Sequence, residues 1–247
     1  MYYRGDEGDI FRSGDVGGMT PFKLFESLKE YKAMAFPHHP AADWVIVSAA
    51  TDWDFHDEQI QRLAEIFSRH ANFEDFESQS KYTKNIKKMK GRSVQDALAK
   101  RYRIGFTAGS DSHQMEHGVE GGIFAVIVPE FSREAIYDAM YDRFTYATTG
   151  ARILASLKAG TAHMGQEIKI KEGEPVVLDV SVMAVDKAKV QIVKNNHVLA
   201  QKEAADGICD FSYTDPQWKD GDCYYVKVIQ ADEHMAWTSP IWVNRLI

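Results

Sequence analysis

An aspartate and a histidine two positions apart, Asp111 and His113, follow an apolar run at residues 104–108. The run has the length and composition of a buried strand, so both side chains come at its carboxyl end. Ligands and substrates of α/β proteins gather outside the carboxyl ends of parallel strands. A carboxylate oxygen and an imidazole nitrogen aimed at one point are typical metal ligands. The spacing predicts a metal site, the alternative being that Asp111 is a turn residue partnered by His113.

A second apolar run, residues 33–36, leads into a pair of histidines, His38 and His39. Taken alone, a histidine after a strand is more often a hydrogen-bonded loop residue than a metal ligand. Pro40 stiffens the loop and removes a backbone donor, which fits a fixed ligand without requiring one. Two strand ends that both offer metal-type side chains favour a hydrolytic metal site.

A third apolar run, residues 63–67, contains Glu65. A carboxylate there is costly unless it is paired or bound to a cation, so Glu65 faces either the metal site or a polar loop. His70 follows this strand and is a candidate for proton transfer, whereas we expect Glu74 at the surface. Arg152 could bind an anionic substrate group through its two-pronged guanidinium, the alternative being a structural tie between two domains.

The elements that must position these residues change character along the chain. Helical and strand signals alternate over residues 1–157, and Thr20, Ser93 and Ser132 are typical helix caps. Over residues 158–247 the helical period gives way to alternation of apolar and polar residues, as in 176–182. The pattern predicts an α/β domain followed by an antiparallel, immunoglobulin-like β-sandwich domain.

Composition limits the function classes. The 247 residues are 45% hydrophobic and 26% charged, as in globular proteins with a core. The net charge of -7 argues against broad attraction to nucleic acid, and no window approaches the ~20 apolar residues of a membrane span. Cys209 and Cys223 form no CxxC pair, and we expect them to be unpaired because their strands would not place them opposite each other. The compartment, cytoplasmic or exported, stays open.

These segments together resemble the PHP (polymerase and histidinol phosphatase) superfamily of metal-dependent phosphoesterases, in a bacterial branch carried as a domain of unknown function. The resemblance covers nearly the whole chain and rests on residues 36–40, 65–70, 109–113, 143–150, 224–226 and 237–243. It implies a distorted (β/α)7 barrel with a site for two or three ions of zinc, manganese or iron, and a phosphate ester or another small molecule as substrate.

The resemblance also implies roles for individual residues. It makes His39, Asp111 and His113 metal ligands and places Glu65 close to the metals. His38, beside His39, would reach the substrate, and His38 or His70 would shuttle a proton or hold the leaving group. Apart from the resemblance, Arg152 is the candidate for binding the anionic group of the substrate.

One departure from the superfamily pattern limits this expectation. The superfamily site opens with a His-x-His pair, but this chain has none, and its first histidine is His38. A complete barrel of this kind takes ~250 residues, more than the predicted first domain offers. We therefore expect the C-terminal portion of a barrel with an incomplete metal site, no ion bound and little activity alone. Its strand edges would be covered by a smaller open sheet or by a homo-oligomer.

A function of a different class stays open beside the hydrolase. The sandwich would then be a non-catalytic module that binds a carbohydrate or a protein. Trp218, Trp237 and Trp242 could stack on sugars, although such aromatic residues more often fill a core or a domain interface.

Overall fold

The computed structural model of the chain describes residues 1–12, 20–44, 50–114, 118 and 121–246. Its helices are α1 (Pro21–Lys29), α2 (Val94–Ala99) and α3 (Arg133–Tyr141). Each begins at a predicted cap: the side chain of Thr20 accepts a hydrogen bond from the backbone N–H of Lys23, and Ser93 and Ser132 act in the same way. The caps satisfy backbone donors that have no partner in the first helical turn, which explains where each helix starts.

Sixteen strands lie in four sheets of the described residues. They are β1 (Tyr2–Tyr3), β2 (Ala33–Met34), β3 (Leu63–Ser68), β4 (Gly105–Gly109), β5 (Ile123–Val126), β6 (Thr145–Thr148), β7 (Leu154–Ala159), β8 (Ala162–His163), β9 (Glu167–Ile170), β10 (Val176–Met183), β11 (Ala188–Lys194), β12 (His197–Ala204), β13 (Ile208–Asp215), β14 (Asp222–Gln230), β15 (Met235–Thr238) and β16 (Ile241–Arg245).

Two mainly antiparallel sheets enclose the largest apolar core of the described residues. One has the strand order β13-β10-β7-β8, and the other has β12-β11-β14-β15-β6-β5, with β16 joining β14 and β9 joining β16. Strand β10 alternates buried and exposed residues along its whole length, as its sequence predicts, and Leu178 and Val180 meet Val226 and Val228 of β14 in this core. Alternation buries one face of each strand because successive side chains point to opposite sides of the sheet.

The prediction of a (β/α)7 barrel portion followed by a sandwich is wrong. Strands account for 38% of the chain and helices for 10%, and the described residues contain no closed barrel. Among the described strands, only two pairings are parallel: β3 with β4, and β9 with β16. The misleading signal was the alternation of helical and strand patterns over residues 1–157, a range that includes β5, α3 and β6. Val126 pairs with Thr145, so the chain reverses at one end of the strands and α3 merely lengthens an antiparallel connection.

The larger sheet runs across the predicted domain boundary at residue 157. Strand β6 pairs with β15 through Ala147 and Trp237, and the Trp237 ring stacks on Phe67 of β3 with ring centroids 6.1 Å apart. The division into residues 1–157 and 158–247 therefore stays a prediction, while the two halves share one sheet.

A buried ionic contact joins the same halves. Glu74, expected at the surface, is only 1% exposed. Its carboxylate accepts a hydrogen bond from the Tyr225 hydroxyl at 2.9 Å and forms an ion pair with Lys227, and Gln95 donates to the same hydroxyl. Glu74 is buried because β14 supplies both partners, a long-range arrangement that local sequence does not reveal.

The two cysteines are free thiols, and both are buried. They lie in different sheets, Cys209 on β13 and Cys223 on β14. Among the described helices, none is both long and apolar enough to cross a membrane.

Candidate functional site

Three side chains from two distant loops converge near one end of the parallel pair β3-β4. His38 and His39 follow β2, and Asp111 comes two residues after β4. Ligand atoms of His38, His39 and Asp111 all lie within 4.8 Å of one another. The sequence predicted these two strand ends as ligand sources, and the structure brings them together.

Two of the three residues have a left-handed backbone. His39 has a φ of 54° and Asp111 a φ of 49°. Such values are uncommon outside glycine and cost on the order of 1 kcal/mol or more, so they persist where surrounding structure imposes them. Here each one turns its side chain toward the cluster instead of letting the loop relax.

Glu65, in the middle of β3, contacts both histidines. Its carboxylate lies 3.1 Å from Nδ1 of His38 and 3.0 Å from Nδ1 of His39, and it accepts a hydrogen bond from the backbone N–H of His39 at 2.9 Å. Glu65 is 4% exposed, so these contacts replace the water that its charge would otherwise need. Its first role in this geometry is to hold the two imidazole rings.

His70 and Ser68 complete the surroundings of the cluster. Nε2 of His70 lies 2.5 Å from Oδ2 of Asp111, and Nε2 of His38 lies 3.0 Å from Oδ1 of the same carboxylate. The hydroxyl of Ser68 is 3.3 Å from Nδ1 of His39. Nδ1 of His70 is buried and has no hydrogen-bond partner among the described residues.

The electrostatics keep the carboxylates charged. The hydrogen bond to Glu65 raises the pKa of His38 to about 8, although partial burial opposes the shift. Burial would raise the pKa values of Glu65 and Asp111, but the neighbouring histidines outweigh burial and lower both. Burial lowers the pKa of His70 despite its contact with Asp111. At neutral pH, without an ion, the cluster combines two anionic carboxylates with a neutral His70 and a protonated His38, and His38 must release its proton to bind a cation.

Two predicted site residues lie farther out. His113 is exposed, and its Nε2 is 3.5 Å from Oδ1 of Asp111, at the rim of the cluster. Arg152 is also exposed, and no hydrogen bond or ion pair with another described residue holds it near the cluster. The roles of His113 as a metal ligand and of Arg152 in substrate binding stay predictions.

The sequence did not point to the aromatic wall of the site. The Trp44 ring meets His39 edge-on at 5.1 Å and His70 at 5.5 Å, and Phe73 lies 5.8 Å from His39. The position of Trp44, five residues after His39, was the available signal. These rings pack against His39 and His70, and His39 is buried.

Comparisons with known proteins place the chain beside proteins of unknown function. Residues 68–174 match a family described as "Protein of unknown function (DUF3604)". An uncharacterised protein of Chlamydia pneumoniae is 33% identical over 180 residues, covering 62% of this chain and 29% of the relative. Uncharacterised proteins of Chlamydia trachomatis and Chlamydia muridarum are 31% identical with the same coverage. The chain therefore spans less than a third of the length of these relatives.

An engineered protein of known crystal structure aligns with 36% of this chain and 20% of its own, at 13% identity and a TM-score of 0.24. That similarity is too low to support an argument.

These findings overturn the resemblance to the PHP superfamily. The matching family is one of unknown function, the relatives carry no phosphoesterase description, and the expected barrel is absent from the described residues. Short motifs such as residues 109–113 are too few residues to establish membership of that superfamily. The part of the expectation that named a domain of unknown function stands.

Proposed function

We propose that His38, His39 and Asp111 bind one divalent metal ion and that this site serves a metal-dependent hydrolase acting on phosphate esters. The observation that supports the proposal is the convergence of two imidazoles and one carboxylate, with ligand atoms within 4.8 Å. The activity of the longer proteins that resemble this chain is part of the proposal.

The donor set fits a borderline transition metal. Two imidazole nitrogens and a carboxylate oxygen suit zinc, manganese or iron better than calcium or magnesium, which prefer oxygen alone. Catalytic zinc sites commonly use three protein ligands and leave one position open. The unpartnered Nδ1 of His70 adds a buried polar atom beside the cluster.

The surrounding residues have supporting roles in this proposal. The carboxylate of Glu65, 3.0 Å from Nδ1 of His39, accepts a hydrogen bond from the N–H there, which leaves Nε2 of His39 to face Asp111. A carboxylate behind a ligating imidazole fixes its tautomer and orientation. Nε2 of His70 donates to Asp111 and holds the carboxylate in position.

The chemistry divides between the ion and the protein. A divalent ion would supply Lewis-acid polarisation of the phosphoryl oxygens. The protein orients the substrate, and the aromatic wall of Trp44 and Phe73 limits water around His39. The role of His70 in proton transfer stays a prediction, because its Nε2 is held by Asp111 and its Nδ1 is buried.

The alternative, a module that binds carbohydrate or protein, has weaker support. Trp237 and Trp242 are 0% and 1% exposed, so neither offers a face to a sugar. Trp218 is half-buried and donates its indole N–H to the carbonyl oxygen of Glu174 at 2.7 Å. Of the three tryptophans, only Trp218 remains a candidate for such binding.

Metal binding tests the proposal directly. Zinc and manganese affinities of the full chain are measured by calorimetry, with elemental analysis after dialysis. We expect His39→Ala and Asp111→Asn to weaken binding by at least about tenfold, because each removes one of three ligands. His197→Ala, which removes an exposed histidine on β12, is the matched control and should bind like the parent chain.

Hydrolysis of p-nitrophenyl phosphate is the second measurement, and we expect little turnover by this chain alone. Whatever rate is found should fall in Asp111→Asn and persist in His197→Ala. If Asp111→Asn retained the parent affinity for both metals, the cluster would not be a metal site and the proposal would be wrong.

A further inference from the structure

A cationic cavity lies directly beside the histidine–carboxylate cluster. It has a volume of about 540 Å³, within the usual range for small-molecule sites. Arg69, Lys81 and Lys84 line it, and no carboxylate from the described residues does. Three cations around one cavity stand out in a chain whose net charge is -7. The cavity belongs to none of the roles assigned above.

Two of the three cations are available for a ligand. Lys81 lies 3.3 Å from Glu233, but neither Arg69 nor Lys84 has a carboxylate within 4.0 Å in the described part of the chain. Arg69 is half-buried and Lys84 is exposed. Unpaired cations that face a common cavity repel each other, and an anion between them removes that repulsion.

The floor of the cavity is rigid. The rings of Tyr82 and His234 stack with centroids 3.7 Å apart and planes inclined by 9°. The Tyr82 hydroxyl donates to the carbonyl oxygen of Asp232 at 2.6 Å, and Nδ1 of His234 lies 2.7 Å from the Thr149 hydroxyl. A preformed floor lowers the ordering cost of binding.

The cavity and the metal-type cluster share their walls. Arg69 directly precedes His70, and the backbone N–H of Lys84 donates to the carbonyl oxygen of Arg69 at 2.9 Å. On the opposite side, Gly121 packs against the residue before Asp111 so closely that a Cβ at Gly121 would lie 2.8 Å from the Cα of Ser110. A ligand in the cavity would therefore adjoin the loops that carry His70 and Asp111.

We propose that this cavity binds a tetrahedral oxyanion, a phosphate or sulfate group, through Arg69 and Lys84. Arginine pairs with such groups through two parallel hydrogen bonds, and lysine acts as a point charge beside it. The anion site stands by itself, whereas its use as the subsite for a second, non-reacting anionic group of the substrate rests on the proposed function. The substrate class is then a small molecule with two anionic groups.

Anion binding is measured in EDTA, so that no metal contributes. Inorganic phosphate and sulfate are titrated in parallel into the full chain by calorimetry, and the tighter anion identifies the substituent. We expect Arg69→Gln and Lys84→Gln each to weaken binding by roughly tenfold, the loss of one charge-assisted hydrogen bond. Lys87→Gln is the matched control, because Lys87 is exposed and pairs with Asp43 instead.

Two comparisons separate this inference from the metal proposal. Asp111→Asn should still bind the oxyanion in EDTA, and Arg69→Gln should still bind zinc with the parent affinity. Lys84→Gln alters an exposed side chain, so a loss of binding there does not reflect misfolding. If neither anion binds, or if Arg69→Gln and Lys84→Gln bind like Lys87→Gln, the cavity is not an anion site, whatever the metal result.

Discussion

Replacing Lys227 with methionine should destabilise the fold strongly, because it leaves a buried charge behind. Glu74 is 1% exposed, and its two charge-stabilising contacts are the Lys227 ammonium and the Tyr225 hydroxyl. Methionine fills a similar volume but cannot neutralise the carboxylate. Removing one partner of a buried ion pair costs about 3–5 kcal/mol. The Lys227 side chain is 17% exposed, so water partly compensates and we expect about 3 kcal/mol.

The assay is equilibrium unfolding in urea followed by tryptophan fluorescence. Lys100→Met is the matched control: Lys100 pairs with Asp54 at 2.7 Å, but their side chains are 43% and 74% exposed. Such surface pairs contribute about 0–1 kcal/mol, so this variant should stay close to the parent. Both variants remove one lysine charge, so their difference isolates burial.

A second substitution checks whether the unpaired charge of Glu74 causes the loss of stability. Adding Glu74→Gln to Lys227→Met removes the stranded charge and keeps an acceptor for the Tyr225 hydroxyl, so the double variant should be more stable than Lys227→Met alone. The reasoning is refuted if Lys227→Met unfolds at the same urea concentration as Lys100→Met, or if Glu74→Gln lowers its stability further.

Three more perturbations test other parts of the fold. Gly165→Ala should cost about 2–4 kcal/mol in urea unfolding, because φ is +88° and a Cβ would also lie 2.2 Å from the carbonyl oxygen of Arg143. Gly173→Ala, with a φ of +86° and open space, should lose only the backbone part of about 1 kcal/mol, and equal losses would contradict the clash. Burial would raise the pKa of Asp215, but Lys194 and Tyr224 outweigh burial and lower it. The ionised carboxylate therefore stabilises the fold at pH values above its unfolded pKa of 3.8, and this stabilisation is lost as the pH falls through the lower pKa of the folded state. Asp215→Asn should therefore unfold with a weaker pH dependence between pH 5 and 3 than the parent, and identical curves would remove Asp215 as a contributor. Burial raises the pKa of the Cys223 thiol to about 11, so at pH 8 it should react with a thiol reagent far more slowly in the native protein than in urea; equal rates would show that it is accessible.

Local structure was predictable from local sequence. Thr20, Ser93 and Ser132 each start a helix because a short hydroxyl side chain accepts a hydrogen bond from the first turn, an interaction within three residues. The alternation in residues 176–182 fixed which side of β10 is buried, since successive side chains of any strand point to opposite faces. The direction in which two strands pair is a different kind of property. Strand β6 pairs antiparallel with β5, although the alternation of strand and helix signals over residues 1–157 predicted part of a barrel, whose strands are parallel.

The candidate site divides in the same way. Position after apolar runs singled out His38, His39, His70 and Asp111 as chemical side chains, and a carboxylate inside an apolar run singled out Glu65, which needs a partner or a cation there. Their mutual contacts depended on β3 lying beside β4, which placed Asp111 within hydrogen-bonding distance of His38 and His70.

The sequence by itself determined the helix starts, the buried faces of the strands and the set of side chains able to do chemistry. Only the tertiary structure decided that Glu74 is buried against β14, that Arg69 and Lys84 line one cavity, and that the strands of residues 1–157 join several sheets where a barrel was expected. The physical reason is the separation along the chain of the residues that interact. Capping and alternation act between residues a few positions apart, whereas burial, charge pairing and strand direction depend on segments far apart in the chain, which only folding brings into contact.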